Sequence, residues 1–302
     1  MSSPAPTADA SFPPAANDEP PPAPDGWPGG LPALRAELDR IDNDLHDLLM
    51  QRARVVEAVA RSGKRSAWRP GREAQIIRRL LSRHTGHLPP QSVYRIWREL
   101  LAATTAMQGG FRVAVCERDP ATGFTQLARE HFGALTPLRT HGGPAQAIGE
   151  VGAGIAAVAV LPMPSEHENW WSALLHREEP RIHIAARLPF WATRLEGNPA
   201  LQALVVGPAA PDASEHDRSL IGLELEQDIS RDRLSAAFAA AGFGQAAVWV
   251  LRRDPGAPLA QALVETEGHV TEDDPRLDRL TGVHRRPVVL GGYAVPVGGP
   301  EV

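Results

Sequence analysis

The segment Leu34–Val59, LRAELDRIDNDLHDLLMQRARVVEAV, decides how the first part of this chain is read. Its apolar residues fall at Leu34, Leu38, Ile41, Leu45, Leu48, Val55 and Val59. The steps alternate four and three, the seam of one long helix that packs along its length. One position of the seam breaks the rule. Position 52, where Leu or Val is due, is Arg52. An arginine on an inward stripe needs a partner for its charge, because an unpaired buried charge is strongly unfavourable.

Around this helix the bulk composition sets limits. The 302 residues suffice for two domains with cores of their own. No apolar run approaches the roughly 18–20 residues of a membrane span. The N-terminus lacks a basic region followed by an apolar stretch, so no signal peptide is read and a cytoplasmic protein is expected. Cys116 is the only cysteine, which excludes an intrachain disulfide and a multi-cysteine metal site. The net charge of −5 hides a split. Residues 31–109 carry 14 basic against 8 acidic side chains, and residues 110–302 carry 17 against 24. The basic part has no cluster interleaved with aromatics, so small anions are favoured over nucleic acid as its partners. Thirty of the 31 basic residues are arginines; Lys64 is the only lysine.

Residues 1–30 are rich in Pro, Ala, Asp and Ser and read as a disordered tail. One long helix is expected over 31–62, a second from about Arg72 to Ser82 and a third from about Gln91 to Met107. "SGKRSAWRPG" and "HTGHLPP" separate them. The pattern then changes. "FRVAV" (111–115), "IAAVAVLP" (155–162), "RIHIAARL" (181–188) and "LQALVVG" (201–207) read as buried strands. Helices near 123–133, 144–152 and 168–176 alternate with them, which is α/β. The remainder, with strands at 219–226, 246–253, 258–268 and 286–295 and a helix at 230–242, reads as βαββαβ-like.

Arg52 is not the only polar group on an inward stripe. Arg72 and Glu73 lie one turn before Ile76 and Ile77 and extend the stripe of the second helix. In the third helix Val93, Ile96, Trp97, Leu100 and Leu101 make the stripe, and Thr104 and Gln108 continue it. The plain reading is a structural ion pair between Arg52 and Glu73, or an Arg52 that snorkels to the surface. The alternative is an arginine-rich interior pocket for carboxylates, which a guanidinium grips in two places. Arg35 precedes Arg52 by 17 residues, about 25 Å along a straight helix. The two cannot hold one small molecule within a chain, so a shared site would take Arg35 from a second copy.

These residues carry a resemblance. Residues 31–109 resemble the all-helical, helix-swapped class of chorismate mutase. That family has an Arg near the start of a long helix and another 17 residues later. A Lys follows at the end of that helix, Arg-Glu opens the second helix, and Ser and Gln end the third. The corresponding positions here are Arg35, Arg52, Lys64, Arg72, Glu73, Thr104 and Gln108. Three departures stand out. The register from Arg52 puts the family's lysine at Gly63, one residue before Lys64. Thr104 replaces the usual Ser and keeps the hydroxyl. An Asp of some relatives, three residues before the Arg-Glu pair, is Arg69. The resemblance implies an intertwined homodimer of three-helix modules acting on the chorismate dianion, with no metal or cofactor. Arg35 of the second copy and Arg52 would clamp the carboxylates. Lys64 and Gln108 would donate to the ether oxygen, and Glu73 would accept from the substrate hydroxyl. Arg72 and Thr104 would complete the wall.

The rest of the chain resembles a shortened prephenate dehydratase followed by an ACT-type regulatory domain, over 111–210 and 216–298. The fragments that carry this are "TGFTQLAREHFG", "VAVLPMPSE", "NPALQALVVG" and "RRPVVLGGYAVP". The dehydratase's Thr-Arg-Phe falls at Leu201, Gln202 and Ala203, and its Glu-Asn-Ser at Pro164, Ser165 and Glu166. The expectation is a chorismate mutase with a non-catalytic C-terminal region. Two other readings stay open: a bifunctional mutase–dehydratase, and a non-catalytic regulator that senses chorismate or an aromatic acid.

Overall fold

The computed structural model describes residues 30–62, 68–176, 179–193, 201–254 and 256–298. The seam of Leu34–Val59 lies on one uninterrupted helix, α1 (Gly30–Arg61). Arg40 pairs with Glu37 at 2.7 Å and Asp44 at 2.5 Å on its polar side, the i,i+3 and i,i+4 spacings that reinforce a helix. No residue of α1 is buried in the single chain; Leu38 is 60% exposed, Leu45 53% and Leu48 61%. The chain divides into two units inside this helix, Met1–Val55 and Val56–Val302.

In the second unit, α2 (Pro70–Ser82) and α3 (Pro90–Ala106) each begin with a proline in the first turn, where its missing N–H costs nothing. Ala74 and Ile77 of α2 and Tyr94 and Leu101 of α3 form a core with Phe190 and Ala294. The helix pair therefore shares its apolar face with the α/β part. The stripe of α3 differs from the sequence reading. Its buried residues are Tyr94, Arg98, Leu101, Thr104 and Thr105, whereas Ile96 is 54% exposed. Tyr94 and Trp191, with ring centroids 5.5 Å apart, pull that face of the helix inward.

Among the described residues nine strands make one sheet, with β2 (Leu138–His141) at one edge and β7 (Ala246–Arg252) at the other. The strands β1 (Val113–Cys116), β2 (Leu138–His141) and β3 (Val158–Pro162) pair in parallel, linked by α4 (Phe124–Phe132) and α5 (Pro144–Gly152). β1 is buried along its whole length, as expected of a parallel strand covered on both faces. β4 (His183–Leu188) and β5 (Ala203–Gly207) pair antiparallel, and β5 joins β3 the same way. The remaining strands are β6 (Asp217–Leu225), β7 (Ala246–Arg252), β8 (Ala260–Glu267) and β9 (Val288–Ala294), with α6 (Arg231–Ala241) after β6. In this group the order β9-β6-β8-β7 is 4-1-3-2 in chain sequence, as a βαββαβ unit requires. Its second helix is a single 3-10 turn, Leu277–Arg279. The expected helix at 168–176 is likewise a 3-10 segment, Trp170–His176, held by its buried Trp170, Trp171 and Leu175. β4 and β9 join in parallel through Ile184 and Gly291, so the sheet is continuous across the boundary expected near 210–216.

Candidate active site

Each residue of the mutase pattern has a definite place, with one exception: Lys64 lies outside the described residues. Arg35 is exposed and Arg52 partly buried. Both stand on α1, which runs unbroken between them. Arg72 and Glu73 open α2 and diverge. Arg72 is exposed and donates from Nη1 to Gln75 Oε1 at 3.2 Å, so it does not continue the inward stripe as the sequence reading expects. Residues 72 and 76 share a face, and it is the 73–77 face that is turned inward, with Ile77 1% exposed.

Glu73 faces α3. Its Oε2 accepts from Arg98 Nη2 at 2.6 Å, and the two side chains are 13% and 4% exposed. Nη1 of Arg98 lies 3.2 Å from both ring nitrogens of His131 on α4. Burial, and then the Arg98 charge, hold His131 well below the usual histidine range. The ring is therefore neutral at pH 7 and accepts from Arg98. The result is a buried chain of carboxylate, guanidinium and imidazole that crosses from α2 through α3 to α4. Arg98 and His131 are the residues that sequence reading missed. The available signal was the spacing of Tyr94, Arg98 and Leu101, an apolar face with a charge at its centre, as Arg52 is in α1.

Thr104 and Gln108 come together at the end of α3. The Thr104 hydroxyl donates to the carbonyls of Leu100 and Leu101 at 2.9 and 3.1 Å, and Gln108 Nε2 donates to the Thr104 carbonyl at 3.1 Å. Both side chains are folded back on their helix.

In the α/β part, Gln202 takes up the place that the dehydratase resemblance assigns to an arginine. Its Oε1 accepts from Arg187 Nη2 at 3.0 Å, and Nη1 of Arg187 donates to the Tyr293 hydroxyl at 3.0 Å. Tyr293 in turn donates to Glu265, and burial pushes its hydroxyl well above the usual tyrosine range. Trp249 covers Arg187 at 5.7 Å. A cavity of about 610 Å3 opens between α3, α4 and residues 189–193, but several of its polar groups serve other bonds. Thr125 donates to Glu117, Arg129 to the Ala134 carbonyl, and Glu99 accepts from the Ala134 amide.

A long helix, a helix pair with Glu73 and Arg98 on its inward faces, and a mixed α/β sheet are the class these features define. Residues 34–109 match the family model of chorismate mutase type II. A bifunctional chorismate mutase/prephenate dehydratase of Stutzerimonas stutzeri is 30% identical over 149 residues, which is 46% of this chain and 40% of that protein. The chain thus spans about two-fifths of the length of the curated relatives it matches. Among solved structures, one described as GqqA, a novel type of quorum quenching acylases, aligns with a TM-score of 0.45 at 16% identity, covering 62% of this chain and 96% of that one. Prephenate dehydratase from Streptococcus mutans aligns with a TM-score of 0.44 at 18% identity, covering 62% and 98%. No helix among the described residues is long and apolar enough to cross a membrane.

Proposed function

We propose that the protein is an isomerase that rearranges chorismate to prephenate as a homodimer, and that its C-terminal region is not catalytic. The observation that carries this reading is the family match over 34–109, which spans the arginine-rich pattern from Arg35 to Gln108. The rearrangement is intramolecular. It asks the protein to hold a dianion in a compact conformer and to stabilise charge growing on the ether oxygen, which is positioning and electrostatic preorganisation. Arg52 and the second copy's Arg35 clamp the two carboxylates. Lys64 and Gln108 donate to the ether oxygen, whose charge develops only in the transition state. Glu73 accepts from the substrate hydroxyl, with Arg98 fixing its carboxylate. Arg72 and Thr104 complete the wall.

Dimerisation is supported by the open seam of α1 and by the exposed Ile96 of α3. A non-catalytic C-terminal region is supported by Leu201, Gln202 and Ala203 in place of Thr-Arg-Phe, and by the engagement of Gln202 with Arg187. A second reading, a sensor that binds chorismate without turning it over, draws on the commitment of Glu73 to Arg98.

Purified full-length protein given chorismate should form prephenate and leave added prephenate unchanged. Phenylpyruvate formed above the uncatalysed background would refute the non-catalytic assignment. Saturable chorismate binding without turnover would replace the enzyme with the sensor.

A further inference from the structure

The start of α2 is held by a residue 140 positions away in the chain. Position 69, where a helix usually carries its own capping side chain, is Arg69, and it makes no capping bond. Asp212 supplies the cap instead. Its Oδ1 accepts from the Gly71 amide and its Oδ2 from the Arg72 amide, both at 3.1 Å. Pro70 has no N–H, so these are the first two N–H groups of the helix, at the positions that a local Asp or Ser would otherwise serve. Arg69 Nη2 adds an ion pair to Asp212 Oδ2 at 3.2 Å.

The approach is close enough to dictate sequence. A Cβ on Gly71 would sit 2.1 Å from the Asp212 carbonyl oxygen, so this position needs glycine. The contact then runs on down the helix. Gln75 donates to the Ala213 carbonyl at 3.3 Å, and Arg78 donates to the carbonyls of Ser214, His216 and Val295 at 2.8, 3.0 and 2.7 Å. The loop that meets α2 is itself tied down. Ser214 is 1% exposed and bonded to both oxygens of Asp217. Glu215 takes φ +76, the only non-glycine left-handed residue among those described.

We infer that Asp212 is a positioning residue of the mutase site, an inference that rests on the mutase reading above. The amides it holds belong to the turn that presents Arg72 and Glu73. The C-terminal region then serves the reaction as the fixed support of that turn, without touching substrate. Asp212 aligns the dyad through its backbone, and Arg69 and Arg78 anchor the helix on either side.

The test uses the full-length chain and four forms: wild type, Asp212→Ala, Asp212→Asn and Ser230→Ala. Asn keeps an acceptor for the cap. Ser230 caps α6 through its bond from the Arg233 amide, so its loss is the same kind of defect in a helix remote from α2. Asp212→Ala should lower kcat/KM for chorismate about tenfold, since small misplacements of positioning groups carry large rate costs. Amide exchange should accelerate at residues 71–73. Asp212→Asn should recover activity to within about threefold, as Asn caps nearly as well as Asp. Ser230→Ala should leave kcat/KM unchanged. An active wild type whose folded Asp212→Ala variant keeps full kcat/KM would overturn the positioning role alone. So would equal losses in Asp212→Ala and Ser230→Ala. A wild type without mutase activity would overturn the mutase reading, and the positioning role with it.

Discussion

At the scale of single residues, the chain from Glu73 through Arg98 to His131 ties α2 and α3 to α4. Arg98 is 3% exposed and lies between a carboxylate and a neutral ring. Removing either charged member would strand the other, which in buried pairs costs about 3–5 kcal/mol. His131 makes the arrangement sensitive to acid. Its folded-state affinity for protons is depressed by burial and by Arg98, and burial brings His183 down to about 4. Unfolding restores the ordinary value of 6.5 for each. The unfolded chain therefore takes up protons that the folded chain refuses. Stability from this source is fully present above pH 6.5 and is lost as pH falls below it. Each such ring contributes a slope of up to about 1.4 kcal/mol per pH unit. The melting temperature should fall between pH 7 and pH 5, and His131→Gln, which keeps an acceptor for Arg98, should flatten that fall. Identical slopes in the two proteins would show that His131 is not the titrating group. The sequence shows only part of this: the spacing of Tyr94, Arg98 and Leu101 marks a charge on an apolar face but does not name its partners. His131 and Arg98 stand 33 positions apart, and nothing in either segment names the other as its partner.

At the scale of elements, much of the reading from sequence survives, for physical reasons. Long periodic segments gave helices within two residues of the observed ends at α1 and α2. Continuous apolar runs gave the buried strands. What escaped was β2, whose sequence is Leu-Arg-Thr-His and whose residues are partly or fully exposed. An edge strand with one apolar side chain carries no alternation to detect. The face of α3 also escaped, because its stripe of Val93, Ile96, Trp97 and Leu100 is as apolar as the face that is buried. A single chain also leaves Leu38, Leu45, Leu48 and Val55 along α1 more than half exposed, a contiguous apolar stripe of the kind that marks an interaction surface. The proposed dimer would bury it. Full-length protein should therefore sediment as a dimer, and Leu45→Glu with Leu48→Glu should dissociate it and abolish mutase activity, because Arg35 would no longer reach a second site. A double variant that remains dimeric, or a wild-type monomer with full activity, would refute the second-copy role of α1.

At the scale of the whole chain, the pairing of β4 with β9 joins two groups of strands into one sheet. Sequence reading gave an α/β segment and a βαββαβ segment as successive blocks, and the structure has a parallel β2-β1-β3 group followed by a β9-β6-β8-β7 group. Their union is not written in either pattern, because it is made by backbone pairing between distant segments, Ile184 with Gly291 and Trp191 with Val297. Both strands bend at the first of these pairs. β4 carries an irregularity between Ile184 and Ala186, and the β6–β9 pairing shifts next to Gly291. Such bulges re-aim a strand and bring backbones close. Gly291 has φ +124, and a Cβ placed on it would lie 2.0 Å from the Ile184 carbonyl oxygen and 2.8 Å from its nitrogen. Both clashing atoms are backbone, so no rotamer change can relieve them. Gly291→Ala must push β4 away from β9 or distort the bulge, which should cost about 3 kcal/mol, the upper end of ordinary single substitutions. In a body of this size that lowers the melting temperature by roughly 6–12 °C. Because the strain falls on the junction, the single transition expected of the wild-type sheet should broaden or separate into two. Gly149→Ala provides the contrast. It lies inside α5 with nothing within 4 Å of an added Cβ, and replacing a helical glycine with alanine should stabilise by about 0.5–1 kcal/mol. Calorimetry of the three proteins separates these outcomes. If Gly291→Ala melts with the wild type, the two halves do not depend on this junction, and the cap that Asp212 lends to α2 would have to be held by the βαββαβ part alone.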